Sequence, residues 1–202
     1  TIERIGEVVY NGYKLELSDD ARNRIIRCRE YLDEKIAKTT RPVYGVTTGF
    51  GSLCNVSVNP DQLAQLQINL MMSHACGVGD RVPNDIVKMM MLLKVQSLSY
   101  GYSGCKLDTV QRLVDFFNND IYPIVYMQGS LGASGDLVPL AHLSLPIIGL
   151  GEVEYQGKVM SGKEILQIMG WQPIELASKE GLALLNGTQN MSSFAVWALI
   201  QS

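Results

Sequence analysis

Gly129-Ser130-Leu131-Gly132-Ala133-Ser134-Gly135-Asp136 runs without a polar spacer into the apolar segment 137–150. A linker would have polar sequence on both sides, whereas this stretch must fold as a tight turn against a buried helix. Ordering three glycines costs more backbone entropy than ordering other residues, so the turn needs a compensating use. Residues 136–150 read as that helix, with Pro146 able to kink or stop it.

The segments before the turn read mostly as helices. Residues 8–17 alternate around Asn11-Gly12, a favoured two-residue turn, which predicts a small hairpin. Ser18 is placed to cap a helix with Asp19 and Asp20 in its first turn. Ala21, Ile25, Cys28, Leu32 and Ile36 then recur at helical spacing until Arg41-Pro42. Asn59 and Pro60 form an N-cap and first-turn pair opening a helix over about 61–75, which Gly77 stops. Pro83 opens another to about residue 100, with Met89, Met90 and Met91 as adaptable core. Asp108 is placed to cap a third, with Val110, Leu113, Val114 and Phe117 on one face.

Beyond the apolar segment, residues 152–160 alternate about Gln156-Gly157 as a second small hairpin. Ser161 caps a short helix closed by Gly170, residues 179–185 are helical, and Asn186-Gly187-Thr188 separates them from a last helix starting near Gln189. Phe194-Ala195-Val196-Trp197-Ala198-Leu199-Ile200 is apolar all round, the pattern of a helix buried on every side. Further sequence or other subunits are expected to cover it, which makes the chain the N-terminal part of a longer protein. The fold class is mainly α with a few short strands.

Composition narrows the function. A net charge of -3 gives no support for nucleic-acid binding, and Gly, Pro, Asp or His interrupts every apolar run that could span a bilayer. Cys28, Cys54, Cys76 and Cys105 contain no CxxC pair, which argues against the common zinc frameworks and fits reduced thiols in the cytoplasm. Gly132-Ala133-Ser134-Gly135-Asp136 nearly matches a hydrolase nucleophile elbow. Its fifth position is Asp rather than Gly, and no parallel-strand alternation surrounds it.

Four segments in register carry a resemblance. The stretch from Gly129 through Leu143, centred on Ala133-Ser134-Gly135, is similar to the signature of the aromatic amino acid ammonia-lyases, and within them of the histidine ammonia-lyases. Tyr44-Gly45-Val46-Thr47-Thr48-Gly49-Phe50-Gly51, Ser73-His74-Ala75-Cys76-Gly77-Val78-Gly79 and Leu184-Leu185-Asn186-Gly187-Thr188-Gln189 agree in order and spacing. The resemblance implies an L-aspartase/fumarase-like fold. Residues 1–188 would be the cofactor-bearing domain, and residues 189–202 the truncated start of a central helical bundle.

It also implies a cofactor: Ala133, Ser134 and Gly135 cyclise into 4-methylidene-imidazol-5-one, an electrophile, with no metal or nucleotide expected. Gly135 suits the attack because its nitrogen carries no Cβ neighbour to obstruct close approach, and Ser134 can lose its hydroxyl as water. By position, Tyr44 resembles the family's acid/base tyrosine on a lid. A free tyrosine is a poor base near neutrality, so burial beside positive helix ends would have to help. Ser73 and His74 resemble the dipeptide that sorts substrates, Ser-His going with histidine, and Asn186 resembles the asparagine that bonds the substrate or cofactor. His142 has no catalytic counterpart and is expected to serve packing.

The implied activity is elimination of ammonia from L-histidine to trans-urocanate by a homotetramer, with this chain inactive alone. The alternatives are a phenylalanine or tyrosine ammonia-lyase or aminomutase and, in another class, a non-catalytic helical assembly fragment.

Overall fold

The computed structural model describes residues 1–39, 41–49, 62–130 and 136–202. Local caps set several helix starts. In α2 (Asp19–Lys38) the Ser18 side chain accepts from the Ala21 N–H, and Asp19 and Asp20 face the positive helix end. Pro83 sits just ahead of α4 (Asn84–Ser99). Ser161 and Glu164 form a reciprocal capping box at the start of α7 (Gly162–Met169), which ends on left-handed Gly170.

Helix α4 is the centre of the fold. Met89, Met90 and Met91 are each 0% exposed, so its methionines fill core on successive faces rather than forming a surface stripe. Around α4 pack α1 (Ile2–Tyr10), α2, α5 (Leu107–Asn118) and α9 (Gln189–Gln201). On α5, Val110, Leu113, Val114 and Phe117 make the expected buried face, joined by Phe116. A second layer holds α3 (Leu63–His74), α6 (Leu137–Ser144) and α8 (Glu180–Leu185), which pack pairwise on one another. A 3-10 turn over Leu145–Ile148 follows α6, with Pro146 at its start.

The strands are short and antiparallel. β1 (Val78–Arg81) pairs with β3 (Tyr126–Gln128), bringing Val78 opposite Gln128. β4 (Glu152–Tyr155) and β5 (Lys158–Ser161) form the hairpin expected at residues 152–160, extended by β2 (Tyr122–Pro123) on the other edge of β4. Among the described residues no helix is long and apolar enough to cross a membrane.

The structure departs from the sequence reading in two places. Residues 8–17 are not a hairpin: α1 runs to Tyr10, Asn11 is its C-cap, and Gly12 follows at φ +71°. The same tolerance of left-handed backbone serves a hairpin turn and a helix stop, and buried Gly6 and Val9 decide for the helix. Asp108 lies inside the first turn of α5 rather than at its cap. The cap position is Lys106, whose N–H is accepted by the distant Glu180 carboxylate at 2.8 Å. Helix α9 is covered on one side by α1, α4 and α6, while Met191 and Leu199 are 62% and 60% exposed, leaving apolar surface of the kind the sequence reading assigns to further sequence or other subunits. The helix expected to open at Asn59 and Pro60 is α3. Those two residues and Asp61 lie outside the described residues.

Candidate active site

The ends of α3, α6 and α8 converge. Ser73 and His74 occupy the last turn of α3, Leu137 opens α6, and Asn186 closes α8. Ala133, Ser134 and Gly135 lie outside the described residues, but the chain on either side of them is placed. On the near side, Gly129 has φ +139°, and a Cβ there would sit 2.6 Å from Val138 Cγ1 and 3.2 Å from Gly77 Cα. Only glycine allows that approach between the turn, the first turn of α6 and the segment after His74.

On the far side, Asp136 is buried and fully used. Its N–H donates to the Gly187 carbonyl at 2.7 Å, joining the start of α6 to the end of α8. One carboxylate oxygen accepts the Ser130 hydroxyl at 2.7 Å and the other accepts the Met191 N–H at 2.9 Å. The carboxylate therefore ties the two flanks of residues 131–135 together. It also sits at the positive N-terminal end of α9, where negative charge is favoured.

His74 has a defined tautomer. Its Nδ1 lies 2.8 Å from the Leu70 carbonyl oxygen, which can only accept, so Nδ1 carries hydrogen. The Ser73 hydroxyl donates to the same carbonyl at 2.9 Å. In a neutral ring Nε2 is then left with a lone pair, the complement of an N–H donor.

Asn186 is held through its backbone as well as its helix. Its N–H donates to the Leu182 carbonyl at 3.0 Å, and its own carbonyl accepts from Lys94 Nζ at 3.0 Å. Lys94, on α4, is 1% exposed, and burial lowers its pKa to about 8 from the ordinary 10.5. Gln67 fastens α3 to α8 beside it, its side-chain oxygen accepting the Gly181 N–H at 3.0 Å.

The Lys94 shift has a measurable sign. Between pH 8 and 10.5 the unfolded lysine still holds a proton that the folded one has lost, so this group makes stability rise with pH across that window. Cys105, pushed up to about 12 by burial, acts oppositely above its ordinary 9.0, because the unfolded thiol ionises first. A Lys94→Met variant isolates the lysine. The urea-unfolding free energy of the parent should gain up to about 3 kcal/mol on the variant from pH 8 to 10.5. A difference that stays flat with pH would contradict the desolvated amine.

Tyr44 lies on the 43–49 loop, which is fastened to the other end of α8. The Ser178 hydroxyl donates to the Val46 carbonyl at 2.5 Å, two residues before α8 begins, so about 9 Å of helix separates this anchor from Asn186. Gly45 turns the loop at φ +69°, and the buried Thr48 hydroxyl accepts the Gly45 N–H. Tyr44 itself is 59% exposed.

Sequence reasoning thus singled out His74, Asn186 and the glycine turn, and the structure brings their flanks together. It overlooked the roles of Asp136, at the N-cap position of α6, and of Lys94 and Gln67, polar residues on the largely apolar α4 and α3. Among the described residues no group of three or more His, Cys, Asp and Glu side chains could hold a metal ion, and Cys28, Cys76 and Cys105 are free thiols.

Comparisons with known proteins agree with this layout. The aromatic amino acid lyase family matches residues 1–202. The chain is 50% identical over 198 residues to a histidine ammonia-lyase of Deinococcus radiodurans and 46% identical over 199 residues to one of Clostridium tetani. Each match covers 98% of this chain and 38% of the relative, so the chain spans well under half the length of those curated proteins. The crystal structure of histidine ammonia-lyase from Trypanosoma cruzi superimposes with a TM-score of 0.88 at 36% identity, over 99% of this chain and 38% of that one. Matched along its whole length by the family and folded as its solved members are, the chain belongs to the aromatic amino acid lyases.

Proposed function

We propose that this chain is the cofactor-bearing portion of a histidine ammonia-lyase, a carbon–nitrogen lyase converting L-histidine to trans-urocanate and ammonium. The supporting observation is the junction of α3, α6 and α8, where Gly77, just after Ser73 and His74, closes on Gly129, and Asp136 bonds to Gly187, just after Asn186. Residues 1–188 form the cofactor-bearing part and residues 189–202 begin the helical bundle of a homotetramer.

The residues present fit a 4-methylidene-imidazol-5-one group made from Ala133, Ser134 and Gly135. Asp136 ties the two ends of the turn, and Gly129 leaves a backbone approach that a Cβ would fill. In the cyclisation the Gly135 nitrogen bonds to the Ala133 carbonyl carbon, whose oxygen leaves as water. Ser134 loses its hydroxyl and its α-hydrogen as a second water. When formed, the group supplies an electrophile that no standard side chain provides.

The other roles belong to side chains. His74, with hydrogen on Nδ1, offers Nε2 to accept an N–H from an imidazole substrate, a bond that a phenyl ring cannot make. Lys94 fixes the backbone of Asn186, so its side-chain amide is presented to the substrate from a rigid helix end. Tyr44 is the acid/base group for the β-proton, brought to it by its loop. The α6 N-terminus, which starts just after Gly135, favours negative charge developing beside the turn.

The test is made on the intact protein. Ultraviolet absorbance should report urocanate from L-histidine and no cinnamate from L-phenylalanine, and the 129–139 peptide should be lighter by two waters. Cinnamate formation would transfer the reading to the phenylalanine enzymes. An unmodified peptide would remove the cofactor.

A further inference from the structure

We propose that His142 is a positioning residue that locks the segment carrying Ser73 and His74 onto α6, the helix that follows Gly135. The proposal rests on the functional reading above and deepens it. His142 Nε2 lies 3.0 Å from the Gly77 nitrogen and accepts its N–H. The ring also packs edge-on against Tyr126 of β3, with centroids 5.1 Å apart and planes at 76°.

The lock reaches His74 through a stiff path. Ala75 has φ -80° and ψ 61°, and the Cys76 N–H donates to the His74 carbonyl at 2.9 Å, so residues 74–76 form an inverse γ-turn. Gly77 comes directly after that turn. A Cβ on Gly77 would lie 3.1 Å from His142 Nε2 and 3.3 Å from the Gln128 carbonyl, so the segment is pressed against α6 and β3 together. Freeing Gly77 would let the γ-turn, and His74 with it, drift from the junction.

Only one protonation state holds the lock. Accepting the Gly77 N–H requires a lone pair on Nε2, which leaves the hydrogen of the neutral ring on Nδ1. Tyr126 from β3 is the titratable group against the ring, and Gly77 presents only backbone to it. Among the described residues burial is the one influence on the His142 pKa, and it moves it downward from 6.5. The unfolded chain therefore takes up this proton first as pH falls, and the lock weakens toward acid.

The experiment compares His142→Phe, which keeps the aromatic packing but no acceptor, with His142→Gln, whose side-chain oxygen can take the place of Nε2 without titrating. In the intact protein, amide hydrogen exchange of the 75–81 peptide should quicken about tenfold in His142→Phe and stay near the parent in His142→Gln. Turnover of L-histidine should lose about tenfold in kcat/KM in His142→Phe, mostly through KM, with recovery in His142→Gln. The acid-side loss of 75–81 protection in the parent should be absent in His142→Gln, a readout that survives if His142→Phe fails to fold.

Parent-like exchange in His142→Phe, or the same acid dependence in His142→Gln as in the parent, would overturn the lock. Failure of the parent to turn over L-histidine, with the exchange pattern as expected, would overturn the functional reading alone.

Discussion

Ser134→Ala is expected to abolish ammonia elimination by the intact protein, a loss on the order of 10³-fold or more, while leaving its fold in place. Alanine has no hydroxyl to lose, so the second water cannot leave and no exocyclic methylidene can form. The clamp around the turn does not depend on this side chain. Ser130, Gly187 and Met191 bond to Asp136, and Gly129 packs against Val138 and Gly77. The checks are urocanate release, the intact mass of the 129–139 peptide and circular dichroism. A folded variant that still forms urocanate at more than a few per cent of the parent rate would end the cofactor proposal.

Glu180→Ala should cost stability more than any other single polar truncation described above, by about 3–5 kcal/mol. Glu180 is 0% exposed and its carboxylate is fully engaged. One oxygen accepts the Lys106 N–H at 2.8 Å and the Thr109 hydroxyl at 2.6 Å, and the other accepts the Ala177 N–H at 2.7 Å. The Lys106 ammonium stands 3.8 Å away. Alanine would strand two backbone donors and a hydroxyl in the interior, each at a cost of about 1–3 kcal/mol. Gln at the same position keeps one acceptor but turns an N–H toward another donor, so its loss should be intermediate. Urea unfolding measures both, and a loss under about 1 kcal/mol for Ala would contradict the arrangement.

Helix boundaries were legible where the capping residue is adjacent in sequence. Ser18, Pro83 and Ser161 act on the next few residues, so their effect can be read without knowing the fold. Lys106 could not be recognised as a cap position because its acceptor, Glu180, is supplied by another helix. The β1–β3 pair escaped for a similar reason: four mostly polar residues have no period-2 pattern, and their partner strand lies some fifty residues on. In the site, the motifs marked Ser73, His74, Asn186 and the 133–135 tripeptide. Motifs did not show that Lys94 grips Asn186, that Asp136 joins the flanks of the turn, or that His142 holds Gly77. Those roles exist only once distant segments touch.

The junction's bonds have a consequence for when it can exist. Gly77 waits for His142, Asp136 for Gly187 and Met191, and Lys94 for Asn186, so each of these ties spans a long stretch of chain, while the Ser130–Asp136 bond is local. Contacts of such high sequence separation form late, after the local helices, because closing a long loop gives no return until its ends meet. During synthesis the 133–135 segment leaves the ribosome well before residue 191 does. The condensation proposed above would then be deferred until the helices around residues 133–135 have assembled, and the order of folding would act as the clock for the chemistry.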